Sequence, residues 1–142
     1  MVKIDINNQS INQISDKAIK TVLKRSVDFL KKEGIIKLKQ SVNLSVALVK
    51  ENDIAKLNWQ YRSKEGSTDV LSFCYDKTDQ IINGEIILAP KVIKKYAKED
   101  GCNFKSEFGK NLVHGLLHII GFEHSEKMFN LQESLLEKVK VR

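Results

Sequence analysis

The order of apolar and polar positions along the chain predicts four strands and five helices. Short stretches that alternate in polarity or are rich in β-branched residues are typical of strands. They are Val2–Asn7, Val42–Val49, Val70–Tyr75 and Glu85–Leu88. Apolar residues at helical spacing predict the helices. These are Ser15–Glu33, a short helix capped by Asn52 or Asp53 that continues through Tyr61, Pro90–Lys98, Ser106–Ile120 and Ser125–Val139.

Local signals set the predicted ends of these elements. Ser15 and Ser106 suit helix N-caps, Pro90 suits a first helical turn, and Gly34 and Gly121 suit helix ends. Polar loop and turn residues predict connections at 62–69 and 76–84, and the last two strands could form a hairpin. We therefore expect an α+β fold with one mixed central sheet, formed by a single domain that spans residues 1–142.

Charge adds one preference about the binding partner. The chain has 24 Lys and Arg against 18 Asp and Glu, a net charge of +6. A basic excess favours polyanions, nucleic acid first among them. The lysines are spread along the chain, so a solvated lysine-rich surface explains the same excess equally well.

The chain has no sequence feature of a membrane or secreted protein. No apolar run approaches the roughly 20 residues that span a bilayer, and MVKIDINNQS has no apolar core of a signal peptide. Cys74 and Cys102 are far apart and form no CxxC pattern, so we expect reduced, structural thiols. We expect a cytoplasmic protein that does not associate with membranes.

All three histidines of the chain lie within the eleven residues HGLLHIIGFEH. His114 and His118 are four apart and share one helix face, and Gly121 permits a turn that brings His124 back toward them. Three neutral imidazoles with one open position are typical of a catalytic zinc site. The alternative is that the histidines are packed core residues without a metal.

The segment also resembles the metzincin signature HExxHxxGxxH. This resemblance indicates a zincin-like metal helix. The zincin general base is the glutamate directly after the first histidine, and here that residue is Gly115. A peptidase would lack its base at the expected place, although a base could come from elsewhere.

Three blocks of the sequence resemble the YbeY family of bacterial rRNA-maturation endoribonucleases. They are HGLLHIIGFEH, YRSKEGSTDVLSF and GEIILAP, and their order and spacing agree with the family from about Leu48 onward. Ser67 and Cys74 stand where the family usually has proline. Glu65, Glu85 and Glu123 replace commoner aspartates. These departures concern loop rigidity more than activity.

The resemblance implies a fold, a cofactor and an activity. The expected cofactor is one Zn²⁺ held by His114, His118 and His124. The expected activity is a single-strand-specific endoribonuclease that processes the 3′ end of the 16S small-subunit rRNA and takes part in ribosome quality control. The implied catalytic residues are Arg62, His114 and His118, and the implied partners are single-stranded RNA and the ribosomal small subunit.

The residues themselves leave several roles open. Arg62 begins a polar loop and could clamp a phosphate, or it could pair with Asp69. Glu85 and Glu123 could each orient a histidine ring, act as a base or simply be exposed. A zincin-like peptidase and a non-catalytic, ribosome-associated RNA-binding protein with a structural metal remain the alternatives.

The polar and aromatic residues around this loop have alternatives too. Thr68 and Asp69 favour turn formation, with support of the site as a second role. Trp59 and Tyr61 could stack an unpaired base, but at i, i+2 they do not share a helix face, so we expect one of them in the core.

Overall fold

The computed structural model describes residues 1–8, 14–63, 66 and 68–139. Within these ranges it contains four strands and five helices, which confirms the predicted α+β class. They are β1 (Val2–Asn8), α1 (Asp16–Lys32), β2 (Ser41–Leu48), α2 (Glu51–Arg62), β3 (Val70–Lys77), β4 (Ile81–Leu88), α3 (Pro90–Glu99), α4 (Phe104–Ile120) and α5 (Glu126–Lys138). Glu65 and Ser67, two of the positions that depart from the family pattern, lie outside the described residues.

The strands form one mixed sheet in the order β1-β2-β4-β3. β1, β2 and β4 are parallel, and β3 is antiparallel to β4 at the edge, so the predicted hairpin is confirmed. In the part of the chain that the structure describes, no helix is long and apolar enough to cross a bilayer.

The prediction of a turn-rich connection at 76–84 was wrong for most of that segment. β3 continues to Lys77 and β4 begins at Ile81, so the dipeptide Asn83–Gly84 lies within a strand. An Asn-Gly pair is a strong local signal for a hairpin turn. Here tertiary contacts override it: the Asn43 side-chain amide donates to Asn83 Oδ1 at 3.0 Å, and Gly84 packs under α4.

Most predicted helix ends are confirmed. The side chain of Ser15 caps α1, and Gly121 ends α4 at a φ of 116°. Ser125, predicted as the start of the last helix, caps α5. The prediction of Ser106 as a cap was wrong, because Asn103 caps α4 and its Oδ1 accepts from the backbone N–H of Lys105 and Ser106. The capping role expected of Asn52 or Asp53 was also wrong: α2 begins at Glu51, and the preceding Lys50 makes no side-chain cap.

α4 is the central helix of the fold. It contacts β3, β4, α1, α3 and α5, and its apolar side chains join the main core. Two glycines allow it to lie close to the sheet. A Cβ at Gly84 would lie 2.7 Å from the Ile119 side chain, and a Cβ at Gly115 would lie 3.0 Å from that of Ile86. Each isoleucine therefore packs where the opposite element has no side chain, and this contact fixes the position of the histidines on α4.

The opposite face of the sheet is covered only in part. A smaller apolar cluster beneath α2 and α3 occupies one end of it. Its members are Val49, Ile54, Leu71, Ile87, Ala89 and Val92. Because strand side chains alternate between faces, Phe73 and Glu85 also lie on this side, away from α4.

Candidate metal centre and substrate pocket

The three histidines meet at the C-terminal end of α4. His114 and His118 lie one turn apart on the helix, and their ring centroids are 4.5 Å apart. Gly121 then reverses the chain, and its N–H donates to the carbonyl oxygens of Leu117 and His118. The short segment between α4 and the Ser125 cap of α5 carries His124, whose ring lies 4.7 Å from that of His118.

The Nε2 atoms of the three rings converge on one point. The separation is 3.0 Å between His114 and His118, 3.1 Å between His118 and His124, and 3.2 Å between His114 and His124. Two nitrogens bound tetrahedrally to one zinc ion lie about 3.3 Å apart, given Zn–N distances of about 2.0–2.1 Å. Among the described residues these three side chains form the group that could hold a metal ion.

Hydrogen bonds at the other ring nitrogen fix the tautomer of two histidines. The Nδ1–H of His114 donates to Oε1 of Gln132 at 2.8 Å, and that of His118 donates to the carbonyl oxygen of Phe122 at 2.9 Å. In the neutral ring each Nε2 is then an acceptor with a lone pair. Two such lone pairs at 3.0 Å repel unless a cation lies between them. The donor set therefore fits a metal ion.

Burial favours the metal-binding form of these rings. Desolvation lowers the pKa of His114 below its ordinary value of 6.5, and the electrostatic effect of the neighbouring His124 acts in the same direction. Desolvation also lowers the pKa of His118, followed by the effect of His114. Both imidazoles are therefore neutral at physiological pH, as metal ligands must be.

An open pocket of about 450 Å³ lies in front of the triad. It is lined by the three histidines, Gly115, the β3 residues Val70 to Phe73, Thr68, Asp69 and Arg62. Thr68 donates to Asp69 Oδ1 at 3.4 Å, so the two residues form a local turn interaction and also line the pocket. Among the described residues that line this pocket, Asp69 is the one that carries a carboxylate.

Arg62 is available to a ligand in this pocket. It is the last residue of α2, it is exposed, and the described residues contain no ion pair between it and Asp69. Ser63 follows in a left-handed conformation, with a φ of 53°, and turns the chain into the loop. Asn58, which is 4% exposed, donates to the carbonyl oxygen of Gly66 at 3.1 Å and so ties that loop to α2.

The structure brings neither candidate glutamate to the pocket. Glu85 lies on the sheet face away from α4 and accepts a hydrogen bond from Tyr75 at 2.6 Å. Glu123 is exposed beside the third histidine and does not line the pocket. The partners at Nδ1 of His114 and His118 are instead Gln132 and the Phe122 carbonyl.

Sequence reasoning missed Gln132 and Phe129. Gln132 is 2% exposed and occupies the buried stripe of α5 between Met128 and Leu135. A buried polar residue in an apolar stripe is the signal that could have identified it. The Phe129 ring lies nearly parallel to that of His124, at an interplanar angle of 10° and a centroid distance of 6.0 Å. It therefore shields one side of the triad.

Gly115 also bears on the peptidase alternative. Its Cβ direction points at Ile86 in the sheet, at 3.0 Å. A glutamate there would begin in the contact between helix and sheet, and its Cβ would have to displace the Ile86 side chain. The geometry therefore disfavours a zincin-type base at this position.

Known proteins are similar to this chain along nearly its whole length. The family profile described as Endoribonuclease YbeY matches residues 4–140. The Endoribonuclease YbeY of Bdellovibrio bacteriovorus is 32% identical over 96% of this chain and 94% of that protein. That of Petrotoga mobilis is 34% identical over 94% and 92%. The solution structure of TM1509 from Thermotoga maritima is 26% identical, with a TM-score of 0.64, and covers 98% of this chain and 89% of that one.

Proposed function

This chain belongs to the endoribonuclease YbeY family, and we propose that it is a metal-dependent endoribonuclease that cleaves single-stranded RNA. The observation that carries the proposal is the convergence of three histidine Nε2 atoms beside Arg62 in one open pocket. A cation and a guanidinium that face the same space suit a phosphodiester, whose charge both can stabilise.

We propose that His114, His118 and His124 hold one Zn²⁺ per chain. Three neutral imidazoles and an open position favour zinc in a catalytic role. The ion would lower the pKa of a bound water and polarise a phosphoryl oxygen. Gln132 and the Phe122 carbonyl would keep the two helix rings in the tautomer that presents Nε2.

Arg62 and Asp69 supply the remaining groups of the pocket. The guanidinium of Arg62 can donate two parallel hydrogen bonds to phosphate oxygens and so orient the scissile bond. Asp69 lines the same pocket, so its carboxylate can accept a proton there. This assignment replaces the base role considered for Glu85 and Glu123, which lie away from the lining.

We further propose small-subunit ribosomal RNA as the substrate, with the 3′ end of 16S rRNA as the processing site, in the cytoplasm. The support is the three-block sequence resemblance and the net charge of +6. RNA binding through lysine and arginine should weaken as salt rises.

Cleavage of a labelled single-stranded RNA by wild type and His118→Ala, purified in parallel with metal quantified on the same samples, tests the proposal. We expect wild type to cut and to hold about one metal ion per chain, and the variant to do neither. Equal cutting by both would show contamination by another nuclease. A metal-loaded wild type that cuts no RNA would refute the nuclease and favour an RNA-binding protein with a structural metal.

A further inference from the structure

Three aromatic side chains outside the histidine triad form a series along the edge strand, which we call the aromatic row. It consists of Tyr61 at the end of α2 and Phe73 and Tyr75 on β3. The Phe73 ring centroid lies 5.2 Å from that of Tyr61, at 68°, and 6.3 Å from that of Tyr75, at 12°. The prediction that either Trp59 or Tyr61 belongs to the core was wrong, because each is 59% exposed.

The row is held in place but open to solvent. Phe73 packs partly against the smaller core, whereas Tyr75 is 66% exposed. Tyr75 is the extra residue of a β-bulge between Cys74 and Asp76, a device that re-aims a side chain beside a site. Its hydroxyl donates to Glu85, which raises the pKa of Tyr75 to about 12, so the ring stays neutral.

We propose that the aromatic row is a stacking platform for unpaired bases of the RNA strand that leaves the histidine pocket. The inference rests on the proposed action on RNA, and it assigns a binding surface to the strand beyond the scissile bond. Exposed aromatic rings bind single-stranded nucleic acid by stacking with any base.

Two features connect the row with the pocket. Phe73 belongs to both, because it lines the pocket and occupies the middle of the row. Tyr61 directly precedes Arg62 at the end of α2, so the first ring of the row is the sequence neighbour of the proposed phosphate ligand. The row therefore meets the pocket at Phe73 and runs from there along the edge strand, on the sheet face away from α4.

The charges around the row favour bases over phosphates. Glu85 lies beside Tyr75, and its carboxylate repels a phosphate but not an uncharged base. Arg62, at the pocket end, provides the cation for the backbone. This division, with phosphate at the arginine and bases on the rings, fits a single strand and excludes a duplex, whose bases are already stacked and paired.

Binding of a fluorescent single-stranded RNA, measured by anisotropy at fixed salt, tests the platform. All variants would carry His118→Ala to prevent turnover. We expect Tyr61→Ala and Tyr75→Ala each to weaken binding roughly 5- to 100-fold. Tyr61→Phe and Tyr75→Phe should bind like the parent, since they keep the ring. Trp59→Ala is the matched control, because Trp59 is on the same helix with the same exposed fraction of 59% but outside the row.

An RNA with abasic sites separates stacking from other contacts. It should bind weakly to the parent and lose little further affinity in the alanine variants. The platform is refuted if those variants bind intact RNA as the parent does, or if they lose as much affinity for abasic RNA. If wild type cuts RNA and the row variants bind normally, the stacking platform is refuted and the proposed nuclease activity is not. If row variants weaken binding but wild type never cuts, the nuclease fails and the platform stands.

Discussion

Replacing Gln132 by methionine tests whether this buried side chain controls the metal centre. Gln132 Oε1 accepts the Nδ1–H of His114 at 2.8 Å, and its side chain is 2% exposed, so water does not replace the lost acceptor. Methionine has nearly the same volume and flexibility but offers His114 no strong acceptor. The substitution therefore removes one hydrogen bond with little change in packing.

The effect of the substitution can be expressed as a loss of metal affinity. Partners of ligating histidines typically contribute 10- to 100-fold in metal binding. Converted at 1.36 kcal/mol per factor of ten, this is about 1.4–2.7 kcal/mol. The cost of leaving a buried donor without a partner, about 1–3 kcal/mol, falls in the same range. We therefore expect Gln132→Met to weaken metal binding by 10- to 100-fold.

Competition with a chelator of known affinity measures the effect on folded protein. The thermal melting of the metal-free variant provides the control for simple destabilisation. Gln132→Glu is the matched variant, since its carboxylate still accepts from His114, and it should bind metal at least as well as wild type. If Gln132→Met keeps wild-type affinity, the hydrogen bond does not orient the ligand and the argument fails.

Three further predictions concern the pocket, the turn and pH. Arg62→Lys should lower kcat/KM for RNA cleavage about 10- to 100-fold, because lysine cannot present two parallel donors in the fixed plane of a guanidinium, while metal content measured on the same sample stays unchanged. Gly121→Ala should lower the unfolding free energy by about 1–3 kcal/mol in a denaturant titration and weaken metal binding. Its φ of 116° disfavours a side chain, and the new Cβ would lie 3.3 Å from Lys77 Nζ. The metal-free protein should lose thermal stability as pH falls below 6.5. Burial lowers the folded-state pKa of His114 and His118, so the unfolded chain takes up protons first. His118→Leu should reduce that slope, and a slope equal to that of wild type would contradict the assignment.

The helices and the histidine cluster could be predicted because their signals are local. His114 and His118 are neighbours through helix periodicity alone, and Gly121 sits where a left-handed residue must end the helix. The cap at Ser15 follows from the same short-range rule. Information within about ten residues therefore indicated both the element and the candidate ligands.

The partners that complete the site could not be predicted in the same way. Gln132 reaches His114 from a different helix, eighteen residues away, and only the packing of α4 on α5 decides which residue meets the ring. The Asn83–Gly84 pair favours a turn in isolation, yet the sheet and α4 hold it in a strand. In both cases a long-range contact decides between local alternatives of similar free energy.

Gly115 shows how the packing of this fold limits its chemistry. The position directly after the first histidine faces the sheet, and a side chain at Gly115 would have to displace Ile86, whose nearest atom lies 3.0 Å from the Cβ position. The same close approach of α4 to β4 places the triad at the mouth of the pocket. A helix that lies this near the sheet can present histidines from its outer face but no base from its inner face. We therefore expect the proton acceptor to come from another part of the pocket lining, where Asp69 and Arg62 lie. The glycine that allows α4 to lie close to the sheet thus occupies the position of the zincin glutamate, beside the candidate ligands.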